Sequence, residues 1–291
     1  MSQTYIYNIA GFDVFLSGAV DADKLLPSFS DFRSQGGTRG ERLFAVEVVS
    51  QMLAAREETE EWDVSDSDMG HVRLMKAGSG YRIELFYEDG RVHQMQADAA
   101  FTSLQVYLCM QDRYVGEALS SLLRIAFSQA ILFHGGISIH ASAVVRAGYA
   151  YLFMGKSGTG KSTHAALWLR CFPDAELLND DNPVIRKLGE TVCVYGSPWS
   201  GKTPCYKNKG YKLGGAVRLV QAEVNRFFPQ ENEYAFIAFL PGCSVIRKDE
   251  ALYDMLCSTL AQLVDRVQVG VLHCLPDAEA AVLCAAALRM A

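Results

Sequence analysis

The stretch Gly155-Lys156-Ser157-Gly158-Thr159-Gly160-Lys161-Ser162-Thr163 constrains this chain more than any other. It satisfies G-x-x-x-x-G-K-[ST] at every fixed position. An apolar run, Tyr149 to Met154, leads in, and a helix-compatible run, Thr163 to Leu169, leads out. From average residue usage, a chain of this length meets the bare pattern by chance about once in a hundred. A strand, a tight glycine turn and a helix are therefore expected in that order. The glycines let the backbone aim successive N–H groups at phosphate oxygens, and the helix adds its positive dipole end. Lys161 can then reach the outer phosphates while the Ser162 hydroxyl ligates Mg2+. The plain alternative is a glycine-rich turn that binds nothing. The pattern with its flanks favours a nucleoside triphosphate site.

Composition narrows the setting. A net charge of −6 and a pI near 5.6 argue against a general nucleic-acid binder. Residues Met1 to Gly11 lack the basic region and apolar core of a secretory signal, and no apolar run reads as long enough to span a bilayer. The eight cysteines contain no C-x-x-C pair and are expected as reduced thiols packed as small hydrophobes. A cytoplasmic protein without a membrane partner is the expectation; a homo-oligomer is compatible with it.

Residues 1–114 read as a β-rich accessory domain. Strands are expected at Tyr5 to Leu16 with a bend at Gly11, at Leu43 to Val49, at Tyr81 to Tyr87, at Val92 to Gln96 and at Leu104 to Met110. Asp89-Gly90 supplies a hairpin turn. The acidic segment from Glu57 to Asp68 reads as a solvated loop or edge. No catalytic motif occurs in this half.

Residues 115–291 read as the nucleotide-binding domain. Val115, Ala118, Leu119, Leu122, Leu123, Ala126 and Ala130 recur at helical spacing, and Gly135-Gly136 ends the helix. Ile137 to Val145, a turn at Arg146-Ala147-Gly148 and Tyr149 to Met154 form a hairpin entering the phosphate loop. Further strands are expected at Asn182 to Lys187, Val192 to Tyr195, Ala216 to Gln221 and Val269 to Leu275. Leu252 to Val264 and Ala278 to Met290 read as helices, and Tyr234 to Pro241 is ambiguous.

Phosphoryl transfer needs a carboxylate for the metal and a group that orients or deprotonates the acceptor. Asp180-Asp181 ends an apolar segment downstream of the loop, and neighbouring side chains on extended backbone point to opposite faces. The alternative is a polar turn, for which Asn179-Asp180-Asp181-Asn182 has the composition. His140 lies on the strand before the hairpin turn, with its orientation open; His134 is equally ambiguous, and His164 reads as structural. The segment Gly196 to Gly215 carries Lys202, Lys207, Lys209 and Lys212, suited to neutralising phosphate or docking an acidic acceptor, or else simply solvated.

From Ile131 to Met290, these pieces in this order resemble the HPr kinase/phosphorylase catalytic domain. The resemblance implies an α/β fold with a mixed sheet and a kinase using ATP and Mg2+ on a hydroxyl, a serine in a peptide or protein above all. It implies Asp180 as the base, Ser162 and Asp181 as the metal ligands, and His140 as support for the phosphate site. The motif Ile139-His140-Ala141-Ser142-Ala143 and the loop are also similar to the phosphoenolpyruvate carboxykinase core, which implies phosphoryl transfer on an oxo-acid as the alternative. A nucleotide-binding module without turnover is the third reading.

Overall fold

The computed structural model describes residues 3–54, 58–67, 70–201 and 203–288, and the chain divides into two compact units, Met1–Phe133 and His134–Ala291. Both are mixed α/β structures built on mixed parallel and antiparallel sheets.

In the first unit, Ala10 (φ 53°) and Gly11 (φ 84°) turn β1 (Tyr5–Ile9) back into β2 (Phe12–Gly18). Positive φ at both central residues matches the twist of paired strands. A short helix α1 (Ala22–Leu25) follows, then β3 (Glu41–Val49), β4 (Thr59–Ser67), β5 (Gly70–Ala77), β6 (Gly80–Phe86), β7 (Val92–Ala97) and β8 (Ser103–Tyr107). They form one sheet in the order β1-β2-β3-β8-β7-β6-β5-β4. The acidic segment is β4 at the outer edge, with Glu60, Glu61, Asp63 and Asp66 exposed; Glu57 and Asp68 lie outside the described residues. Charge on an edge strand discourages pairing with another chain. Two buried carboxylates are held by local partners. Asp13 accepts from the backbone of Arg39 and Gly40, and Asp112 pairs with Arg91 and the fully buried His93.

Helix α2 (Val115–Ala130) buries Ala118, Leu119, Leu122, Leu123 and Ala126, the stripe read from the sequence. It packs on α1, β3 and β7, so it closes the N-terminal unit, and the boundary falls after this helix rather than before it. With the turn that follows, Val115–His134 is long and apolar enough by composition to cross a membrane, contrary to the sequence expectation; 67% of its most apolar window is buried inside the protein. It meets the description of a core helix.

The second unit opens with β9 (Gly136–Ser138) and β10 (Ala141–Arg146), which turns through Ala147 and Gly148 into β11 (Tyr149–Met154). Then come α3 (Lys161–Cys171), β12 (Glu176–Asn179), β13 (Val184–Leu188), β14 (Thr191–Tyr195), β15 (Gly210–Gln221), β16 (Arg226–Gln230), α4 (Asn232–Phe239), α5 (Glu250–Val264), β17 (Val269–Cys274) and α6 (Ala278–Ala287). The expected strand Ile137 to Val145 is two strands. β9 pairs with β13, whereas β10 pairs with β11 and β12, and at Ile139 and His140 the backbone bonds instead to Pro183 and Gly242. Strand β15 is longer than expected because its first residues pair with β14 and its last with β17.

Tyr151, Phe153, Val217 and Leu219 pack with Ala165 and Trp168 of α3 and Ala281 and Cys284 of α6. The alternate residues Ala150, Leu152 and Met154 are also buried, so both faces of β11 are covered. Strands β11, β15 and β17 run parallel; β11 leads into the glycine-rich loop, and Gln221 at the carboxyl end of β15 bonds to it. Ligand sites of open α/β sheets lie at such ends. All eight cysteines are free thiols.

Candidate active site

The loop leaves β11 at Met154 and becomes helical at Lys161. Gly158 (φ 79°) and Gly160 (φ 103°) take left-handed backbone, and Gly160 is the N-cap of α3. A side chain at either position would strain that backbone. The loop is cross-braced: the Thr159 hydroxyl donates to the Lys156 carbonyl, and Gln221 Nε2 at the end of β15 donates to the Gly158 carbonyl at 3.2 Å. Lys161 Nζ donates to the carbonyls of Gly155 (3.1 Å) and Lys156 (3.2 Å). Burial lowers the Lys161 pKa, opposed by the negative charges of Asp181 and Asp180. Lys161 is thus a partly desolvated cation held among loop carbonyls. Ser162 and Thr163 lie exposed in the first turn of α3.

One turn on, His164 is buried against Phe153 and accepts from Trp168 Nε1 at 3.2 Å. Desolvation pushes its pKa down to about 4. It anchors the loop helix as a neutral ring.

The carboxylates sit just past β12. Strand β12 pairs with β10, which pairs with β11, so this end of β12 lies two strands from the loop. Ala141 N donates to the Asp181 carbonyl at 3.0 Å. The two side chains have different environments. Asp180 is buried, accepts the Ser142 hydroxyl on Oδ1 at 2.7 Å, and has no partner on Oδ2. Asp181 is half-buried, and its Oδ1 lies 2.8 Å from Nδ1 of the more exposed His140. The turn composition of 179–182 is also real. Asn179 Oδ1 accepts from the backbone N–H groups of Asp181 and Asn182, while its Nδ2 contacts Ser197 and the Trp199 carbonyl. One fully buried amide thus ties the carboxylate turn to the downstream loop. That loop presses close: a Cβ on Gly201 would lie 2.8 Å from the Asp180 carbonyl oxygen.

Lys202 lies outside the described residues. Of the remaining lysines in this segment, Lys207 pairs with Glu176 at 2.7 Å and holds that carboxyl below its usual range, whereas Lys209 and Lys212 are exposed. The positive patch is therefore partly neutralised within the fold.

No family model matches the chain, and no curated protein matches it. Among solved structures, it is similar to the Hpr(Ser) kinase/phosphatase from Coxiella burnetii. The TM-score is 0.32 and the identity 13%, over 52% of this chain and 88% of that one.

The structure brings the glycine-rich loop, Lys161, Asp180, Asp181 and His140 to one end of the second unit's sheet. It adds Ser142, Asn179 and Gln221, which sequence reasoning did not single out. Ser142 had one available signal: it is a hydroxyl inside the apolar strand β10. Among the described residues no three His, Cys, Asp or Glu side chains cluster as a metal site. Mg2+ does not need such a cage, since it is commonly held by one or two protein oxygens together with phosphates and water. The exposed Ser162 hydroxyl and the Asp181 carboxylate offer oxygen donors of that kind.

Proposed function

We propose that the chain is a nucleotide-dependent phosphotransferase that moves the γ-phosphoryl group of ATP to a hydroxyl, with a serine of a peptide or protein as the preferred acceptor class. The observation that supports this most directly is the buried carboxylate of Asp180, held on one oxygen and unpartnered on the other, beside a complete phosphate loop. In this reading the loop N–H groups and Lys161 bind the phosphates. Ser162 and Asp181 would hold Mg2+, which neutralises phosphate charge when bound, and His140 fixes the Asp181 carboxylate. Asp180 accepts the acceptor proton as the new O–P bond forms. The bond between the γ-phosphorus and its bridging oxygen breaks, and ADP leaves with that electron pair. Catalysis is then mainly positioning and electrostatics.

The test is Asp180→Asn, assayed with Mg-ATP against a panel of hydroxyl acceptors including seryl peptides. Loss of at least a hundredfold in kcat, with ATP affinity kept within about threefold, is expected from removal of a general base. Full transfer by this variant would sink the base assignment. Absence of transfer by the unaltered protein across the panel, with ATP still bound, would sink the kinase reading itself.

A further inference from the structure

Strand β10 is apolar along its buried length: Ala141, Ala143, Val144 and Val145 are all buried. Ser142, its second residue, is the exception, with no exposure at all. A hydroxyl in such a place is costly unless it is hydrogen-bonded, and Ser142 has one proton to donate. That proton goes to Asp180 Oδ1 at 2.7 Å. The opposite oxygen, Oδ2, is also buried and bonded to nothing.

We propose that Ser142 is a positioning residue: by occupying Oδ1 of Asp180 it fixes the carboxylate plane and leaves Oδ2 as the oxygen that takes the acceptor proton. The proposal rests on the phosphotransferase reading above. A carboxylate with both oxygens free can rotate about its Cβ–Cγ bond, and a base must hold a defined line to the proton it accepts. The strand supplies the rigidity. Ser142 sits opposite Phe153, one residue from the end of β11, within a continuous antiparallel ladder. Neighbouring β12 pairs with the same strand and delivers Asp180 from the other side. Base and positioning group are thus held by adjacent strands of one sheet.

The experiment compares Ser142→Ala, Ser142→Thr, Asp180→Asn and the Ala/Asn double variant, with Mg-ATP as donor and water and seryl peptides as acceptors. Loss of one charge-assisted hydrogen bond predicts about a tenfold fall in kcat for Ser142→Ala, with ATP affinity and acceptor KM within about twofold. Ser142→Thr, which keeps the hydroxyl, should recover most of the rate. In the Asp180→Asn background the alanine substitution should have no further effect, because the group it positions is gone. The proposal is overturned by an equal loss in both backgrounds, by a loss seen in KM or ATP affinity rather than kcat, or by phosphate recovered on Ser142 by mass spectrometry. Wild-type kcat in Ser142→Ala with an inactive Asp180→Asn overturns this proposal alone. Wild-type kcat in Asp180→Asn overturns the parent reading.

Discussion

His164 makes the stability of the fold around α3 depend on pH. The ring is buried, stacked edge-on to Phe153 at 4.7 Å, and accepts from Trp168 Nε1. A protonated ring would carry N–H groups on both nitrogens, so the bond from Trp168 would be lost as well. Desolvation takes the folded-state pKa down to about 4 from an ordinary value of 6.5. The unfolded chain therefore binds this proton more readily than the folded one. Stability is unaffected above pH 6.5, falls as pH drops through the interval between the two values, and stops falling below about pH 4. Linkage gives a loss of about 2 kcal/mol at pH 5 relative to pH 8, and about 3 kcal/mol once both states are protonated. Urea titrations at pH 8, 6 and 5, followed by tryptophan fluorescence and far-UV circular dichroism, measure this directly. The comparison is His164→Gln, which keeps a polar group near Trp168 but does not titrate. The variant should be less stable than the parent at pH 8 and show a flatter decline towards pH 5. Parallel declines in the two proteins would refute the reasoning, since the slope would then belong to other groups.

Two shorter predictions follow from the same region. Lys161→Met keeps most of the packing but removes the ammonium, so ATP affinity by calorimetry should fall about tenfold to hundredfold while urea stability stays within about 1 kcal/mol; unchanged affinity would mean that the lysine does not reach phosphate. Trp168→Ala empties a site lined by Tyr151, Phe153 and Phe172 at ring distances of 5.1–5.3 Å, and should cost about 3–5 kcal/mol of unfolding free energy. A cost below about 1 kcal/mol would show that α3 repacks freely against the sheet.

Much of the architecture was legible because local rules set it. The turns at Gly11, Asp89-Gly90 and Ala147-Gly148, the stripe of α2 and the helices α5 and α6 lie where turn chemistry and periodicity put them. Asp249 and Asp277 cap α5 and α6 by accepting from the backbone three residues on. The errors fell where tertiary pairing overrides local preference. Strand β5 carries weak alternation and is fixed by β4 and β6 on either side. The split of β9 from β10 reflects a change of partner, which periodicity does not encode. Short β16, with Pro229 inside it, is an outer strand paired only to β17.

At the candidate site the sequence alone placed the tight glycine turn between β11 and α3, because Gly158 and Gly160 take left-handed backbone that other residues rarely adopt. It also brought the adjacent carboxylates into view. Only the tertiary structure distinguished them. Asp180 turns inward to Ser142 and Asp181 turns out to His140, because β12 is seated against β10 and the turn that follows it is held by Asn179. Identical side chains, one residue apart, acquire different environments from the strands around them, and that difference is a property of packing.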